Sequence, residues 1–586
     1  MADLQVLMMR QAGNRRLLLA VASSLAVAVL TFHPPARAQE TRLSAPAPST
    51  PATSPSTQPS DVPPNPLGEA KALLQKGDFD GASKKYQQIL QEKPKSPDAY
   101  AGLTRCYLKK KDVAQAYETV SKGLQVADSW PVRVALGEVY FRQGKIPEAE
   151  TEWVNVINSG HQAARAYFGL ARVRRAIAMN KSAKAMIDKA HELDPSDLDI
   201  EKRWVETVPR SERIKYYEKY LAEPNALDAD ERRNLGSYLS YLKERAKQND
   251  RPCRLISKVK NTETPLVRML IDPRHLLGYG LAVELNGTKS RLLLDTGASG
   301  ILVKRHTAEQ AGITKLTETK IRGIGDKGLK DAFVGIANSI RIGELEFQNC
   351  PVGVMESRSV VGEDGLIGAD VFEDFLVDID FPDEKLKLSE LPKRPGEAER
   401  QIALKNQEDE FDEPENADTR EAPGQTDAKE TAPRLKWSGP QDRYIAPEMQ
   451  SYTRVYRLGH ILVPTKVGDV PGKLFMLDSG AVDNAISPAA AREVTKVQAE
   501  SHVRVGGISG SLNRVYSAEK AVLEFGHLRQ ENQEMIAFDT TSISENAGTE
   551  VSGFLGFTML RFIELKIDYR DALVDFNYDP KRFAHF

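Results

Sequence analysis

Three patterns of apolar and polar positions succeed one another along the chain. From residue 67 to about 250 apolar residues return at the spacing of amphipathic helices, which predicts a helical region. From about residue 265 the pattern shortens to alternating runs broken by turn residues, which predicts strands as far as about residue 390. Strand-like sequence resumes from about residue 450 to 586. Other stretches lack any apolar period. Ser44 to Pro66 holds eight prolines among Ser, Thr and Ala, so residues 39–66 are expected to form an extended spacer. Glu408 to Glu430 holds ten acidic residues with Pro and Gly, and residues 391–449 are expected to be a disordered linker. At the start, Arg15-Arg16 precede a 16-residue apolar run, Leu17 to Phe32, and then Ala36-Arg37-Ala38. That order predicts a signal peptide over residues 1–38, cut after Ala38, and export to the periplasm or the exterior. The run is short for a membrane span, which needs roughly 20 residues. An uncleaved membrane anchor is the alternative.

Within the helical region a unit repeats. Ala82, Ala116, Ala149 and Ala183 recur at intervals of 34, 33 and 34 residues, each near the start of a helix. The surrounding segments are alike: Gly77-Asp78-Phe79-Asp80-Gly81-Ala82, Lys111 to Ala116, and Gly144 to Ala149. Leu103, Leu136 and Leu170 hold matching places in the preceding helix. A small residue lets paired helices approach, so these positions read as the core of a helical stack. This pattern resembles the tetratricopeptide repeat, with about four units over roughly residues 67–205 and a further helical stretch, Glu201 to Lys247, as a degenerate unit or a cap, so that the helical repeats span residues 67–250. The resemblance implies a concave surface able to dock a protein partner.

The two strand-rich segments follow one plan. In the first, Leu281 to Leu285 runs into Asn286-Gly287, a hairpin signal. The return strand, Arg291 to Leu294, ends at Asp295-Thr296-Gly297-Ala298. In the second, Ile461 to Val467 turns back into Leu474 to Leu477 and ends at Asp478-Ser479-Gly480-Ala481. A glycine-rich turn follows each: Gly323-Ile324-Gly325, then Gly506-Gly507-Ile508-Ser509-Gly510. Each segment then carries an apolar pair before glycine, Leu366-Ile367-Gly368 and Phe554-Leu555-Gly556. A lone Asp-Thr-Gly is an ordinary turn. The whole order appearing twice, with the aspartates 183 residues apart, is far more specific.

This doubled plan resembles the retropepsin- and pepsin-like aspartic peptidases. The fold it implies is multidomain: an all-α tetratricopeptide-like solenoid, then two all-β retropepsin-like acid-protease lobes over residues 265–390 and 450–586. The activity implied is hydrolysis of peptide bonds by a water held between Asp295 and Asp478. Two adjacent carboxyls cannot both ionise, so they share a proton; one takes a proton from water while the other donates toward the carbonyl. The resemblance assigns Thr296, Gly297, Ala298, Ser479, Gly480 and Ala481 to the active loops, with Gly368 and Gly556 supporting them from behind. It assigns Gly323, Ile324, Gly325, Gly507, Ile508 and Ser509 to flaps over an extended polypeptide substrate. Two arrangements remain open: Asp295 with Asp478 in one chain, or each half with its twin in another. The different sequences of the halves favour the first. A non-catalytic peptide-binding scaffold on the same fold is the alternative function.

Composition narrows the rest. With 80 Lys+Arg against 82 Asp+Glu, the net charge of -2 suggests neither nucleic acid nor an anionic membrane as partner. Cys106, Cys253 and Cys350 lie far apart, without CxxC or His spacing, which argues against a zinc site and a disulfide framework. A single Cys253–Cys350 bridge stays open in an oxidising compartment; otherwise Cys350 reads as a small buried apolar residue. No metal or organic cofactor is implied, and no G-x-S-x-G, HExxH or P-loop motif is present.

Overall fold

The computed structural model describes residues 2–4, 18–20, 65–224, 227, 229–247, 253–356, 363–395, 442–500 and 502–583. Apart from two short strands, Ala2–Leu4 and Leu18–Ala20, the expected signal peptide lies outside the described residues. So does nearly all of the proline-rich spacer, and residues 396–441 of the acidic linker.

Eight helices form four antiparallel pairs: α1 (Pro66–Gln75), α2 (Phe79–Glu92), α3 (Pro97–Lys109), α4 (Val113–Val126), α5 (Trp130–Arg142), α6 (Ile146–Asn158), α7 (Ala164–Ala176) and α8 (Asn180–Leu193). The first helix of each pair ends in a left-handed residue: Gly77, Lys111, Gly144 and Ala178, with φ of 78°, 65°, 77° and 60°. Glycine adopts that conformation freely, whereas Lys111 and Ala178 hold it at a steric cost. In the first two pairs the aspartate of the repeated segment then caps the second helix. Asp78 accepts the Gly81 N–H at 2.9 Å and Asp112 that of Gln115 at 3.0 Å. The four repeated alanines are buried, as a close helix approach requires. In the third pair Trp153 is wholly buried and donates to the Val134 carbonyl at 3.1 Å. A Cβ on Gly137 would stand 2.5 Å from its Nε1, so only glycine makes room for the indole. Three further helices, α9 (Leu198–Val205), α10 (Arg210–Ala222) and α11 (Ala229–Lys247), close the region.

The helical region packs on both β lobes. Val134, Phe141, Ile146 and Trp153 share one apolar core with Leu474, Met476, Phe538 and Phe554 of the second lobe. Thr549 donates to the Phe141 carbonyl at 2.6 Å, and the Glu550 N–H donates to Arg142 O at 3.0 Å. The Arg172 guanidinium lies 3.9 Å from the Phe141 ring centre, where burial pushes it down to about 9. At the other end α11 packs along the strand Lys315–Ile321 of the first lobe. These helix surfaces are therefore interface.

In the first lobe the strands His275–Leu285 and Thr288–Asp295 pair through Asn286-Gly287, both left-handed as a tight hairpin of that type demands. Gly365–Gly368 runs parallel to Thr288–Asp295 and sets Gly368 beside Asp295. The second lobe repeats this: Ile461–Val467 pairs with Val470–Leu477, and Gly553–Leu555 runs parallel to the latter with Leu555 beside Leu477. A six-stranded sheet joins the lobes, because Phe375–Asp380 pairs antiparallel with Glu564–Asp568. One buried apolar cluster spans both lobes.

The β region differs from the sequence-based boundaries at three places. Strands Arg254–Leu255 and Thr262–Pro265 already belong to the first lobe. Residues 391–395 and 442–449, expected in a disordered linker, are folded onto the lobes. Arg394 pairs with Asp571, and Ala446 and Met449 are buried with Leu573. Asp442 caps α8 through the Lys181 N–H at 2.9 Å. Finally, Cys350 is not a free apolar residue. It is bonded to Cys253, across a sequence separation of 97 residues, and ties the lobe's first strand to Leu345–Met355. The loop is long, so Cys253→Ser should lower stability by about 2–4 kcal/mol, read by urea titration.

Candidate functional site

Each hairpin delivers its aspartate at the buried end of a strand, and the two ends meet. Asp295 and Asp478 are both fully buried. The loops that carry them are locked by reciprocal hydrogen bonds. The Thr296 N–H donates to Ser479 Oγ at 3.0 Å, and the Ser479 N–H donates to Thr296 Oγ1 at 2.9 Å. Each hydroxyl in turn donates across the pseudo-dyad, Thr296 to Leu477 O at 3.0 Å and Ser479 to Leu294 O at 2.9 Å. These four bonds cross from one lobe to the other within the chain and bring the loops of Asp295 and Asp478 together.

Inside each loop, backbone amides aim at the inner carboxyl oxygen. Gly297 N–H donates to Asp295 Oδ1 at 2.8 Å; Gly480 and Ala481 donate to Asp478 Oδ1 at 3.0 and 2.9 Å. Gly297 must lack a side chain, because its Cβ would stand 2.6 Å from the Asp478 carboxyl carbon. Ala298 and Ala481 are buried and donate back to the carbonyls of Asp295 and Asp478, each at 3.2 Å. Gly368 and Gly556 pass directly behind the loops: a Cβ on Gly368 would lie 2.6 Å from Ala298 O, and one on Gly556 would run into the Asp483 backbone. Burial pushes the Asp478 carboxyl well above the usual range, and the neighbouring Asp295 carboxylate adds to the rise. The pair therefore keeps a proton where isolated carboxyls would have lost theirs.

The two glycine-rich turns meet each other. Gly323 N–H donates to Ser509 Oγ at 3.1 Å, Ser509 N–H to Ile324 O at 3.1 Å, and Lys327 N–H to Ser509 O at 2.9 Å. Gly325, at φ 131°, lies so close to Ser509 and Gly510 that no Cβ fits. Gly507 pairs with Gly510 to close the second turn. The tips cross. Ile508 of the second lobe packs with Leu293, Ala298 and Leu302 of the first, while Ile324 of the first lobe joins the cluster holding Met476 and Ala481.

Three polar residues at the loops carried no signal strong enough to be singled out from sequence. Asn484 Oδ1 accepts the Gly556 N–H at 2.8 Å. Asp370 Oδ1 accepts the Gly300 N–H at 2.9 Å. His460 lies against the Gly297 backbone, and burial pushes its imidazole down to about 4, so it is neutral near pH 7. Asn484 and Asp370 follow the two motifs closely enough that a search for polar residues just beyond each would have found them. Among the described residues no cluster of three or more His, Cys, Asp or Glu is arranged to hold a metal ion.

Comparisons with known proteins match separate parts of the chain. The aspartyl protease family model matches residues 281–371, and the tetratricopeptide repeat model matches residues 73–131. UBA domain-containing protein Mud1 of Schizosaccharomyces pombe is 33% identical over 109 residues, which cover 18% of this chain and 31% of that protein. DNA damage-inducible protein 1 of Neurospora crassa is 34% identical over 151 residues, 25% of this chain and 32% of that protein. The chain thus spans about a third of the length of these two relatives. Among solved structures, a retropepsin-like aspartic protease from Rickettsia conorii is 22% identical, with 23% of this chain and 94% of that one covered and a TM-score of 0.18. TTC0263, a tetratricopeptide protein of Thermus thermophilus, is 21% identical, with 30% and 97% covered and a TM-score of 0.24. The chain joins tetratricopeptide repeats to an aspartyl protease domain.

Proposed function

We propose that the chain is an aspartic endopeptidase in which a water between Asp295 and Asp478 hydrolyses peptide bonds. The observation that carries this reading is the reciprocal Thr296–Ser479 bracing, which holds two buried carboxyls in one site. The ionised carboxylate takes a proton from the water as its oxygen attacks the carbonyl carbon, and the protonated carboxyl donates to the carbonyl oxygen. The tetrahedral product then collapses: one of its hydroxyls returns a proton to the ionised carboxylate as the carbonyl re-forms, the C–N bond breaks, and the protonated carboxyl gives its proton to the leaving nitrogen. No covalent intermediate and no cofactor is needed. The apolar flap tips suit an extended polypeptide strand lying beneath them.

The helical groove encloses about 750 Å³, lined by Arg105, Trp130, Arg165 and Lys202 among others, and would dock a protein partner. Export through the 1–38 segment is the localisation we favour, supported by the Cys253–Cys350 bond, which needs an oxidising compartment. The alternative is anchoring by that segment uncleaved. No helix among the described residues is long and apolar enough to cross a membrane.

Incubating the full chain with a peptide library tests the reading. Cleavage that is blocked by a statine-type mimic of the tetrahedral intermediate supports it. No cleavage anywhere from about pH 3 to about pH 8 would leave a peptide-binding scaffold in its place. Flap closure gives a second prediction. Gly325→Ala should separate the tips and raise KM roughly tenfold, since strain of this kind costs about 1–3 kcal/mol, read by steady-state kinetics on a cleaved peptide.

A further inference from the structure

The two active loops are braced from behind by different chemistry. In the second lobe the bracing groups are neutral: the Asn484 amide oxygen accepts the Gly556 N–H, and the Thr558 hydroxyl donates to Val482 O at 2.7 Å. Thr558 also reaches Asp483, which accepts no N–H from the loop. In the first lobe the turn after Gly368 presents a carboxylate in that place. Asp370 Oδ1 accepts the Gly300 N–H at 2.9 Å, and the carboxylate also bonds the Ser299 side chain. Ser299 and Gly300 end the loop that begins at Asp295. The carboxylate lies so close to Gly368 that only a residue without a Cβ leaves room for it.

Its electrostatic surroundings come from both lobes. Arg457 of the second lobe reaches across to Glu373 at 3.0 Å and donates to Tyr569 O at 2.6 Å. Glu373 and Asp374 follow Asp370 along the chain, and Tyr569 feels both Asp370 and Asp295. Burial pushes Asp370 up to about 6 and Glu373 up to about 7, against the opposing pull of Arg457.

We infer that Asp370 is a positioning residue for the dyad: its ionised carboxylate fixes the Ser299–Gly300 end of the first active loop, and the loop carrying Asp295 loosens when Asp370 is protonated. The inference rests on the hydrolytic reading of Asp295 and Asp478. An ionised acceptor makes roughly twice as strong a hydrogen bond as a neutral one. Since Asp370 gains its proton as pH falls through about 6, kcat/KM should fall with it there. The Asn484 acceptor does not titrate, and although burial also raises the Asp483 carboxyl that Thr558 reaches, that carboxyl accepts no loop N–H, so the Gly556 brace of the second lobe keeps its strength in mild acid.

The test compares the unmutated chain with Asp370→Asn, Glu373→Gln and Asp483→Asn. Two quantities are read: the pH profile of kcat/KM, and the hydrogen-exchange protection of the Gly300 amide at about pH 5 and about pH 7. The unmutated chain, Glu373→Gln and Asp483→Asn should share an acidic limb and gain several-fold protection of Gly300 between the two pH values. Asp370→Asn, which keeps an acceptor oxygen but no charge, should lose the limb and show equal protection at both. A limb that survives in Asp370→Asn, or that disappears in Glu373→Gln or Asp483→Asn, overturns the inference. A chain that cleaves nothing sinks the hydrolytic reading, and the exchange measurement then decides the inference without turnover.

Discussion

Asp478→Asn should abolish peptide cleavage, by roughly ten-thousand-fold, while making the protein more resistant to unfolding at neutral pH. The loss of rate follows from the chemistry: a pair made of one amide and one carboxyl can no longer both deprotonate water and protonate the carbonyl oxygen, steps worth about 10²–10⁴-fold. The gain in stability follows from burial. Asp478 is raised well above the usual carboxylate range in the folded state, first by burial and then by Asp295. The folded chain therefore binds a proton that the unfolded chain has released, so stability falls as pH rises from the ordinary carboxylate range toward the raised value. Asparagine removes that penalty. Thermal unfolding should show the mutant ahead at neutral pH and level with the unmutated chain in acid, where the carboxyl is neutral in both states. A mutant that is inactive but no more stable would mean that the Asp478 carboxyl is not held protonated by its site.

Thr296→Ala should cost about 2–4 kcal/mol of stability, a large share of the margin of most domains. The hydroxyl accepts the Ser479 N–H and donates to Leu477 O, both buried. Removing it strands a donor and an acceptor where water does not reach, and each stranded group costs about 1–3 kcal/mol. Ser479→Ala should cost a similar amount through Thr296 N–H and Leu294 O. The two changes act on one contact, so the double mutant should lose less than the sum, which urea titration of the three variants would show. Thr296→Ser, which keeps the hydroxyl, should lose little. Loss of activity should accompany loss of the hydroxyl, because the loops then no longer hold the carboxyls at one separation.

Local chemistry was readable in the sequence; long-range pairing was not. Asp295 and Asp478 stand out because hairpin, apolar strand and Asp-[Ser/Thr]-Gly-Ala recur in one order. The helical repeat stands out because Ala82, Ala116, Ala149 and Ala183 must be small wherever helices touch. The partner of Phe375–Asp380 had no such signature: its pairing with Glu564–Asp568 joins strands almost 190 residues apart and is decided by the assembled lobes. The packing of the helices on the second lobe was hidden for a related reason. Arg142 and Arg172 look like ordinary solvated residues until Phe141 and Thr549 are placed beside them. The two glycine-rich turns lack aromatic tips, and only their mutual bonds through Ser509 show how they meet. Cys253 and Cys350, far apart in sequence, gave no pairing signal by spacing alone.

The central claim is one hydrolytic dyad per chain, made of Asp295 and Asp478. It is tested most directly by assaying Asp295→Asn, Asp478→Asn and an equimolar mixture of the two on a library that the unmutated chain cleaves. The account predicts that each mutant is inactive and that mixing restores nothing, because every chain then carries a broken pair. Partial activity in either mutant would mean that each half works with its twin in another chain, and recovery on mixing would mean that Asp295 of one chain pairs with Asp478 of another; either would contradict it.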